Sequence, residues 1–352
     1  MSRFHSLSLK TVHRETKDAV RLDLEVPAHL KKEFEFRPGQ YLTFKMSFDG
    51  KEIRRSYSIC SSPDSGLLSV AVKEVPGGQF SSHANQNLTA GTQVEVMEPM
   101  GEFILKETSG HKVFIAAGSG ITPIMSMISS LLAKDEDHQL TLIYGNKGPE
   151  EVIFKEKLED LAHKHADRFK MVYVFSRDGH HEAKKGRVKV DLIEEILSQS
   201  TFSSIQELFI CGPSAMIFSV KDHFLAKGIA SDKVHFELFT APDKGAETEL
   251  KHTEKKVKAD KDSITFVLDG ITLEVEVKNA DLAILDIALE AGLDAPFACQ
   301  GGVCCTCKAK ATGSPVDLRQ NFSLSDGELK DGYVLTCQSY HQGGQTLIDY
   351  DN

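Results

Sequence analysis

The sequence predicts a multidomain protein with three successive folds: an antiparallel β-barrel, a doubly wound parallel α/β domain and a smaller α+β domain. Three observations predict it. Short alternating runs divided by turn signals fill residues 1–106. Continuous apolar runs alternate with amphipathic stretches over 107–240. Four cysteines then crowd into the nine residues from Cys299 to Cys307, inside a segment, 263–352, that opens with a hairpin signal.

At 352 residues the chain is too long for one small core and long enough for two or three domains. With 26% charged and 41% hydrophobic residues it has the balance of a soluble globular protein. No apolar run approaches the roughly 18 residues of a membrane span, and a net charge of −10 argues against nucleic acid as a partner. The chain begins Met1-Ser-Arg-Phe without an apolar leader, which predicts a reducing, cytoplasmic setting.

In the first domain, Leu42-Thr-Phe-Lys-Met and Leu68-Ser-Val-Ala-Val-Lys alternate as half-buried strands do. Asp49-Gly50, Pro63-Asp-Ser-Gly66 and Pro76-Gly-Gly78 mark turns between such runs. Evenly spaced short strands suggest a small barrel. Arg55-Ser-Tyr-Ser58 ends one predicted strand. It reads either as a flavin contact, with Arg55 facing phosphate, Tyr57 stacking on the ring system and Ser58 near its reactive nitrogen, or as an ordinary exposed strand end. Gly78-Gln-Phe80-Ser81-Ser82 reads either as a diphosphate cradle at a helix start or as a plain N-cap by Ser81.

In the second domain, Val113-Phe-Ile-Ala-Ala117 has the continuous apolar character of a buried parallel strand. It runs into Gly118-Ser-Gly120-Ile-Thr122-Pro123, with a helix-like run from Pro123. Further strands are expected at Leu140–Tyr144, Met171–Phe175 and Leu208–Cys211, with helices over Phe154–His165 and Ser214–Lys227. The carboxyl edge of such a sheet is where dinucleotides bind. That edge carries Gly118, Gly120 and Thr122, Ser176 and Arg177, and Cys211-Gly212-Pro213. A lone buried cysteine is otherwise a small apolar residue. Phe236-Glu237-Leu-Phe239 ends the domain, with Glu237 and Phe239 on one face or simply on an edge strand.

Residues 241–262 are rich in Lys, Glu and Asp and read as an unpacked linker, roughly 25 Å end to end as a flexible coil. Ile264–Leu268 and Leu273–Val277 flank Asp269-Gly270, a type I′ hairpin signal that turns Leu273, Val275 and Val277 inward and Glu274 and Glu276 outward. A helix with Leu282, Leu285 and Leu289 on one stripe and Gly292 as its stop comes next.

The cysteine loop follows. Cys299, Cys304, Cys307 and the later Cys337 match the C-x4-C-x2-C…C spacing of plant-type [2Fe–2S] sites, and Cys305 falls outside it as a bystander. Gly301 and Gly302 allow the tight bend that three thiolates from one loop require. A disulfide knot suits secreted chains, and zinc usually takes two C-x2-C pairs where this chain offers one. The cluster-bearing segment 261–352 holds a net charge of −8. This reads as an electron donor that docks on a basic face, or as plain solubility.

Taken together and in this order, the pieces resemble the ferredoxin–NADP reductase superfamily fused to a C-terminal plant-type ferredoxin. The likeness rests on R-x-Y-S at Arg55, Tyr57 and Ser58, the flavin diphosphate motif at Gly78 and Ser81, and G-x-G-I-[AT]-P at Gly118, Gly120 and Thr122. C-G-P at Cys211 and the terminal E-x-aromatic at Glu237 and Phe239 complete it. The family often has Asn where this chain has Ser82. The resemblance implies an FAD-binding β-barrel flavin domain (1–106), an NAD(P)-binding doubly wound α/β nucleotide domain (107–240), the linker, and a β-grasp ferredoxin domain (263–352). It implies catalytic roles for Ser58, Cys211 and Glu237, with Cys211 beside the nicotinamide and Phe239 covering the flavin. Gly302-Val-Cys-Cys-Thr-Cys-Lys-Ala309 and Gly332-Tyr-Val-Leu-Thr-Cys-Gln338 look most like the reductase subunits of phenylacetyl-CoA epoxidase systems, with steroid-hydroxylase reductases sharing the same domain order. The expected function is electron transfer from NADPH, with NADH as an alternative, through FAD and the cluster to a di-iron oxygenase. A non-catalytic electron carrier or redox sensor is the rival reading.

Overall fold

A computed structural model describes residues 4–106, 109–134, 138–177, 183–197, 202, 204–242 and 262–352. The chain folds as two compact units, Phe4–Phe239 and a second built on Thr240–Asn352. Most of the expected linker, 243–261, and Asp178 lie outside the described residues.

The first unit opens with strands β1 (Phe4–Thr16), β2 (Ala19–Glu25), β3 (Tyr41–Phe48), β4 (Lys51–Ser58) and β5 (Leu68–Lys73), helix α1 (Gln79–Gln86) and strand β6 (Gln93–Met97). They form one antiparallel sheet in the order β4-β3-β6-β1-β2-β5. Just past β4, Ile59 bridges Val70 of β5, so the two sheet edges meet and the sheet curls into a barrel. Leu7, Leu22, Leu42, Phe44, Val70 and Val96 fill its interior. Asp49 (φ 49°) and Gly50 (φ 76°) close the β3–β4 hairpin as the turn signal predicts. Strand β5 departs from simple alternation, because Leu68 through Val72 are all buried. Val70 and Val72 face the barrel core, whereas Ala71 packs with the residues of the α/β half.

That half comprises β7 (Gly110–Ala117), α2 (Ile121–Ala133), β8 (His138–Asn146), α3 (Lys155–Lys164), β9 (Phe169–Phe175), β10 (Lys184–Lys185), α4 (Val190–Ile196), β11 (Ile205–Cys211), α5 (Ser214–Ala226) and β12 (Val234–Glu237). Its sheet runs β10-β9-β8-β7-β11-β12 with every pairing parallel. This is the doubly wound arrangement that the apolar runs predict. Helix α2 starts at Ile121, two residues before Pro123, which sits in the first turn where its missing N–H breaks no intrahelical bond. Nearly all of α2 is buried, against β7 and β8 on one side and the barrel's Ala19, Cys60 and Ala71 on the other.

The second unit holds β13 (Ser263–Leu268), β14 (Ile271–Glu276), α6 (Ile284–Glu290), β15 (Lys308–Gly313), β16 (Val316–Leu318), α7 (Asp326–Lys330), β17 (Tyr333–Leu335), β18 (Ser339–His341) and β19 (Gln345–Asp349). Its main sheet is β14-β13-β19-β15-β17, mixed because β13 runs parallel to β19, and β16 pairs with β18 beside it. Asp269 (φ 52°) and Gly270 (φ 72°) make the expected type I′ turn. The helix differs from its predicted stripe. Leu282 precedes it, and the buried residues are Ile284, Leu285, Ile287 and Ala288, a broader face because the helix is short and wedged against the sheet.

Candidate functional site

Two constellations carry chemistry, one in each unit. In the first unit, Ser58 ends β4 and is buried. Its hydroxyl donates to Glu237 Oε2 at 3.2 Å, across 179 positions of sequence. Glu237 ends β12 in register with Cys211, the last residue of β11. Burial pushes the Glu237 carboxyl up to about 8, with the Ser58 hydrogen bond pulling the other way. Burial, with the nearby Glu237 charge adding to it, holds the fully buried Cys211 thiol well above the usual thiol range, so it is no thiolate nucleophile at neutral pH. The three residues expected to be catalytic therefore do come together, at the carboxyl edge of the parallel sheet facing the barrel.

The glycine loop lies against them. A Cβ on Gly120 would fall 2.1 Å from Cys211 O, so only glycine lets the β7 turn and the β11 turn pack this closely. Gly212 meets Ala117 in the same contact. The Thr122 side chain is buried and donates to Ser119 O at 3.1 Å; it shapes the loop rather than opening onto the edge. Pro213 is the N-cap of α5. Ser176 and Arg177 are exposed at the end of β9, with their N–H groups donating to Asn146 O and Lys147 O.

On the barrel, Tyr57 lies over Phe80 at 5.3 Å and Phe44 at 6.0 Å between ring centroids. Phe80 is buried among the barrel's apolar residues, so its side chain supports Tyr57 from beneath. The Arg55 side chain is exposed and donates to Arg54 O. Gly78, not Ser81, is the N-cap of α1. Ser81 sits inside the helix, where its Oγ accepts from Val75 N at 3.1 Å and donates to Gly78 O at 3.3 Å, tying the turn to the helix start. The loop and the first-turn N–H groups suit a diphosphate, and the half-buried Tyr57 with Phe239, 40% exposed, suits a planar ring system.

In the second unit the cysteine loop bends at Gln300 (φ 51°), Gly302 (φ 73°) and Cys305 (φ 54°). A side chain at Gly302 would press on Gln320 O. The bends bring four thiols together: Cys299 interacts with Cys304 and Cys337, and Cys337 with Cys307. Those thiols and the N–H groups of Gly301 and Val303 hold Cys299 below the usual thiol range. Gly301 N donates to Cys299 Sγ at 3.3 Å, and Thr306 Oγ1 lies 3.2 Å from Cys304 Sγ. Among the described residues no three His, Cys, Asp or Glu side chains surround a single ion position. The four thiols form one connected group, as two irons sharing four thiolates require, so the donor set fits a [2Fe–2S] group. Cys305 faces elsewhere. Burial pushes its thiol up to about 12, and its hydrogen bond goes to Ser323.

Three supports escaped sequence reading. Tyr144 donates to Gly118 O at 3.0 Å, Ser126 donates to Ser61 O at 2.6 Å, and Ser323 donates to Gly302 O at 3.2 Å. Tyr144 and Ser126 sit inside apolar runs that read as plain core, and no spacing marks Ser323.

Comparison with known proteins agrees with the geometry. Models of an oxidoreductase FAD-binding domain, an oxidoreductase NAD-binding domain and a 2Fe-2S iron-sulfur cluster binding domain match residues 6–104, 114–222 and 266–342. The chain is 39% identical to a subunit of 1,2-phenylacetyl-CoA epoxidase from Escherichia coli (strain K12), over all of this chain and 99% of that protein. It is 30% identical to the ferredoxin reductase component of 3-ketosteroid-9-alpha-monooxygenase from Mycobacterium tuberculosis (strain CDC 1551 / Oshkosh), over 94% of this chain and 88% of that one. Among solved structures, phthalate dioxygenase reductase superposes with a TM-score of 0.60 at 24% identity, covering 98% of each chain, and shares the fold. No helix among the described residues is long and apolar enough to cross a membrane. The chain belongs to the ferredoxin–NADP reductase superfamily, as an NAD(P)H-dependent flavin and [2Fe–2S] oxidoreductase of the kind that serves multicomponent oxygenases.

Proposed function

We propose that this chain is the cytoplasmic reductase of a phenylacetyl-CoA epoxidase-type system, drawing electrons from NADPH and delivering them to a di-iron oxygenase component. The observation that carries this reading is the 39% identity to the epoxidase subunit over the full length of both chains, against 30% to the steroid reductase component. When bound, FAD would supply two-electron chemistry toward a nicotinamide and one-electron chemistry toward a [2Fe–2S] cluster.

The chain's own residues bind, orient and move a proton. Arg55, Tyr57, Gly78 and Ser81, with Phe80 beneath Tyr57 and Phe239 over the ring, would hold FAD. Gly118, Gly120, Ser176, Arg177, Gly212 and Pro213 would hold the nucleotide, with Thr122 shaping the loop from within. Cys299, Cys304, Cys307 and Cys337 would hold the cluster, and Cys211 would floor the nicotinamide site. Oxidation of NADPH by one-electron acceptors releases one proton. Ser58 and Glu237 would receive it, a reading supported by a carboxyl that burial raises to about 8, able both to accept and to return a proton near neutrality.

An anaerobic NADPH titration followed by turnover with purified phenylacetyl-CoA epoxidase oxygenase subunits tests this. The expected result is bleaching of flavin and cluster absorption and epoxide formation. Flavin that stays oxidised would overturn the donor assignment. Reduced protein that drives a steroid hydroxylase but not the epoxidase would overturn the partner assignment.

A further inference from the structure

The barrel and the α/β half of the first unit face one another along a seam with an apolar middle, where Ala19, Cys60 and Ala71 pack with Met125, Val152 and Ile153. Ser58 and Glu237 fasten one end. The other end is the segment 149–154, which leaves β8 by a single turn of 3-10 helix, Pro149–Glu151, and enters α3.

The barrel grips this segment at two points. Glu151, its side chain only 13% exposed, faces Lys17 Nζ at 3.4 Å and Lys73 Nζ at 3.7 Å from the barrel, and Lys147 Nζ at 3.6 Å from its own half. Burial alone would raise this carboxyl, but the three lysines outweigh it and hold it below the usual range. Lys17 lies nearer the carboxylate but is 73% exposed and screened by solvent, whereas Lys73, 20% exposed, stands farther off and also meets Asp18 at 3.4 Å. Three residues on, Phe154 is buried yet adopts the left-handed conformation, φ 62° and ψ 26°, which a bulky side chain rarely takes. Its backbone N–H is held by the carboxylate of barrel residue Glu15, which Arg21 braces at 3.1 Å. Strain of this kind persists where the surroundings over-determine it.

What the segment controls follows from its neighbours. Lys147 directly follows β8, and its carbonyl accepts from Arg177 N. Lys73 ends β5, the strand that leads into the Gly78 turn. The segment thus joins the far end of the nucleotide edge to the strand that supports the flavin diphosphate turn. We propose that 149–154 is an interlobe clasp, with Glu151 as a positioning residue that fixes the nucleotide edge relative to the barrel. This rests on reading that edge as the dinucleotide site.

The test uses full-length holoenzyme carrying Glu151→Gln, Glu151→Lys, Lys73→Glu, or the Glu151→Lys/Lys73→Glu swap. Two quantities are read: amide hydrogen exchange at 149–154 and 16–19, and the limiting rate of flavin reduction by NADPH in stopped flow. Glu151→Gln should speed exchange in both segments by about fivefold and slow limiting reduction by about tenfold. KM, flavin content and cluster absorption should change little. The charge swap should recover only part of both losses relative to Glu151→Lys alone, because Lys17, Lys147 and Asp18 keep their places. Unchanged exchange in Glu151→Lys, or a lower melting temperature with a wild-type reduction rate, would overturn the clasp. If NADPH fails to reduce even the wild-type flavin, the donor reading falls, and the exchange arm still decides the clasp.

Discussion

The cluster loop and the Ser58–Cys211–Glu237 site solve the same problem, bringing reactive groups together, by opposite means. Three of the four cluster thiols come from nine residues, and the bends that aim them lie between them, at Gln300, Gly302 and Cys305. The flavin-side site draws one residue each from β4, β11 and β12, with its hydrogen bond spanning 179 positions and two different sheets. A local site carries its geometry in its own backbone. An assembled site inherits its geometry from everything that holds the two sheets in place. Damage to the first should be complete and confined, and damage to the second graded and open to remote changes.

The largest expected effect breaks the local site outright. Serine in place of Cys299, Cys304, Cys307 or Cys337 removes a thiolate for which the loop has no substitute. The iron–sulfur absorption and its reduced-state EPR signal should vanish while flavin absorption stays. Cys305→Ser should retain the cluster, since that thiol bonds to Ser323 and not to the other four. Loss of iron from the Cys305 variant alongside retention in Cys307→Ser would reverse the ligand assignment.

Next comes a change that touches no reacting group. In Gly120→Ala the new methyl carbon would sit 2.1 Å from Cys211 O, so the β7 and β11 turns must part. Misplacement on the scale of an ångström costs about 100-fold in rate. Flavin reduction by NADPH should fall by that order while cluster absorption is untouched, and stopped-flow spectroscopy separates the two. A full reduction rate would mean that the contact of these turns does not set the geometry.

This contrast also explains what could be read from sequence. The barrel strands, the parallel strands and the hairpin at Asp269-Gly270 were legible because their periods and turns are local. The cysteine pattern was legible for the same reason. Positions whose backbone pairs locally but whose side chains serve distant partners were harder. The full burial of β5 depends on Ala71 meeting the α/β half, and Ser81 reads as a helix cap until Gly78 is seen to take that place. Strand ends marked Ser58, Cys211 and Glu237 one at a time, and only the family motifs join them, since no spacing rule links residues so far apart. Tyr144 and Glu151 had neither a motif nor a spacing to mark them.

A subtler probe of the assembled site is pH. Glu237 rises from 4.5 to about 8 on burial, so between those values the folded chain holds a proton that the unfolded chain has lost. That contribution to stability is fully present below about pH 4.5 and is lost as pH rises through about 8. Thermal melts of the wild type should therefore decline across that window more steeply than those of Glu237→Gln. Only the carboxylate can accept a proton, and near pH 7 about a tenth of it is ionised. The rate of electron delivery should climb about tenfold from pH 7 toward a plateau above pH 8. Glu237→Gln should lack this limb. An identical pH profile in the variant would remove Glu237 from the proton's path.

The smallest expected effect concerns the exposed edge, where a single side chain tunes the choice of nucleotide. NADPH differs from NADH by a 2′-phosphate of about two negative charges. At the carboxyl edge of a doubly wound sheet, an acidic side chain beside the adenine ribose favours NADH and a basic one NADPH. Here that position follows β9 and carries Ser176 and Arg177, both exposed and both anchored through the backbone to Asn146 and Lys147. The neighbouring edge strand Lys184–Lys185 runs parallel to Val174–Phe175, and Arg187 is exposed just beyond it. Lys184 is engaged by Glu195 at 2.6 Å, which leaves Arg177 as the better candidate for a two-point hydrogen bond to phosphate. Because the side chain is solvent-exposed, the loss on removing it should be modest. Arg177→Ala should raise KM for NADPH several-fold with kcat little changed, since an interaction made equally in ground and transition states acts on KM alone. KM for NADH should not move. Equal losses with both donors would show that Arg177 supports the edge and does not read the phosphate, and a wild-type preference for NADH would overturn the assignment of the donor itself.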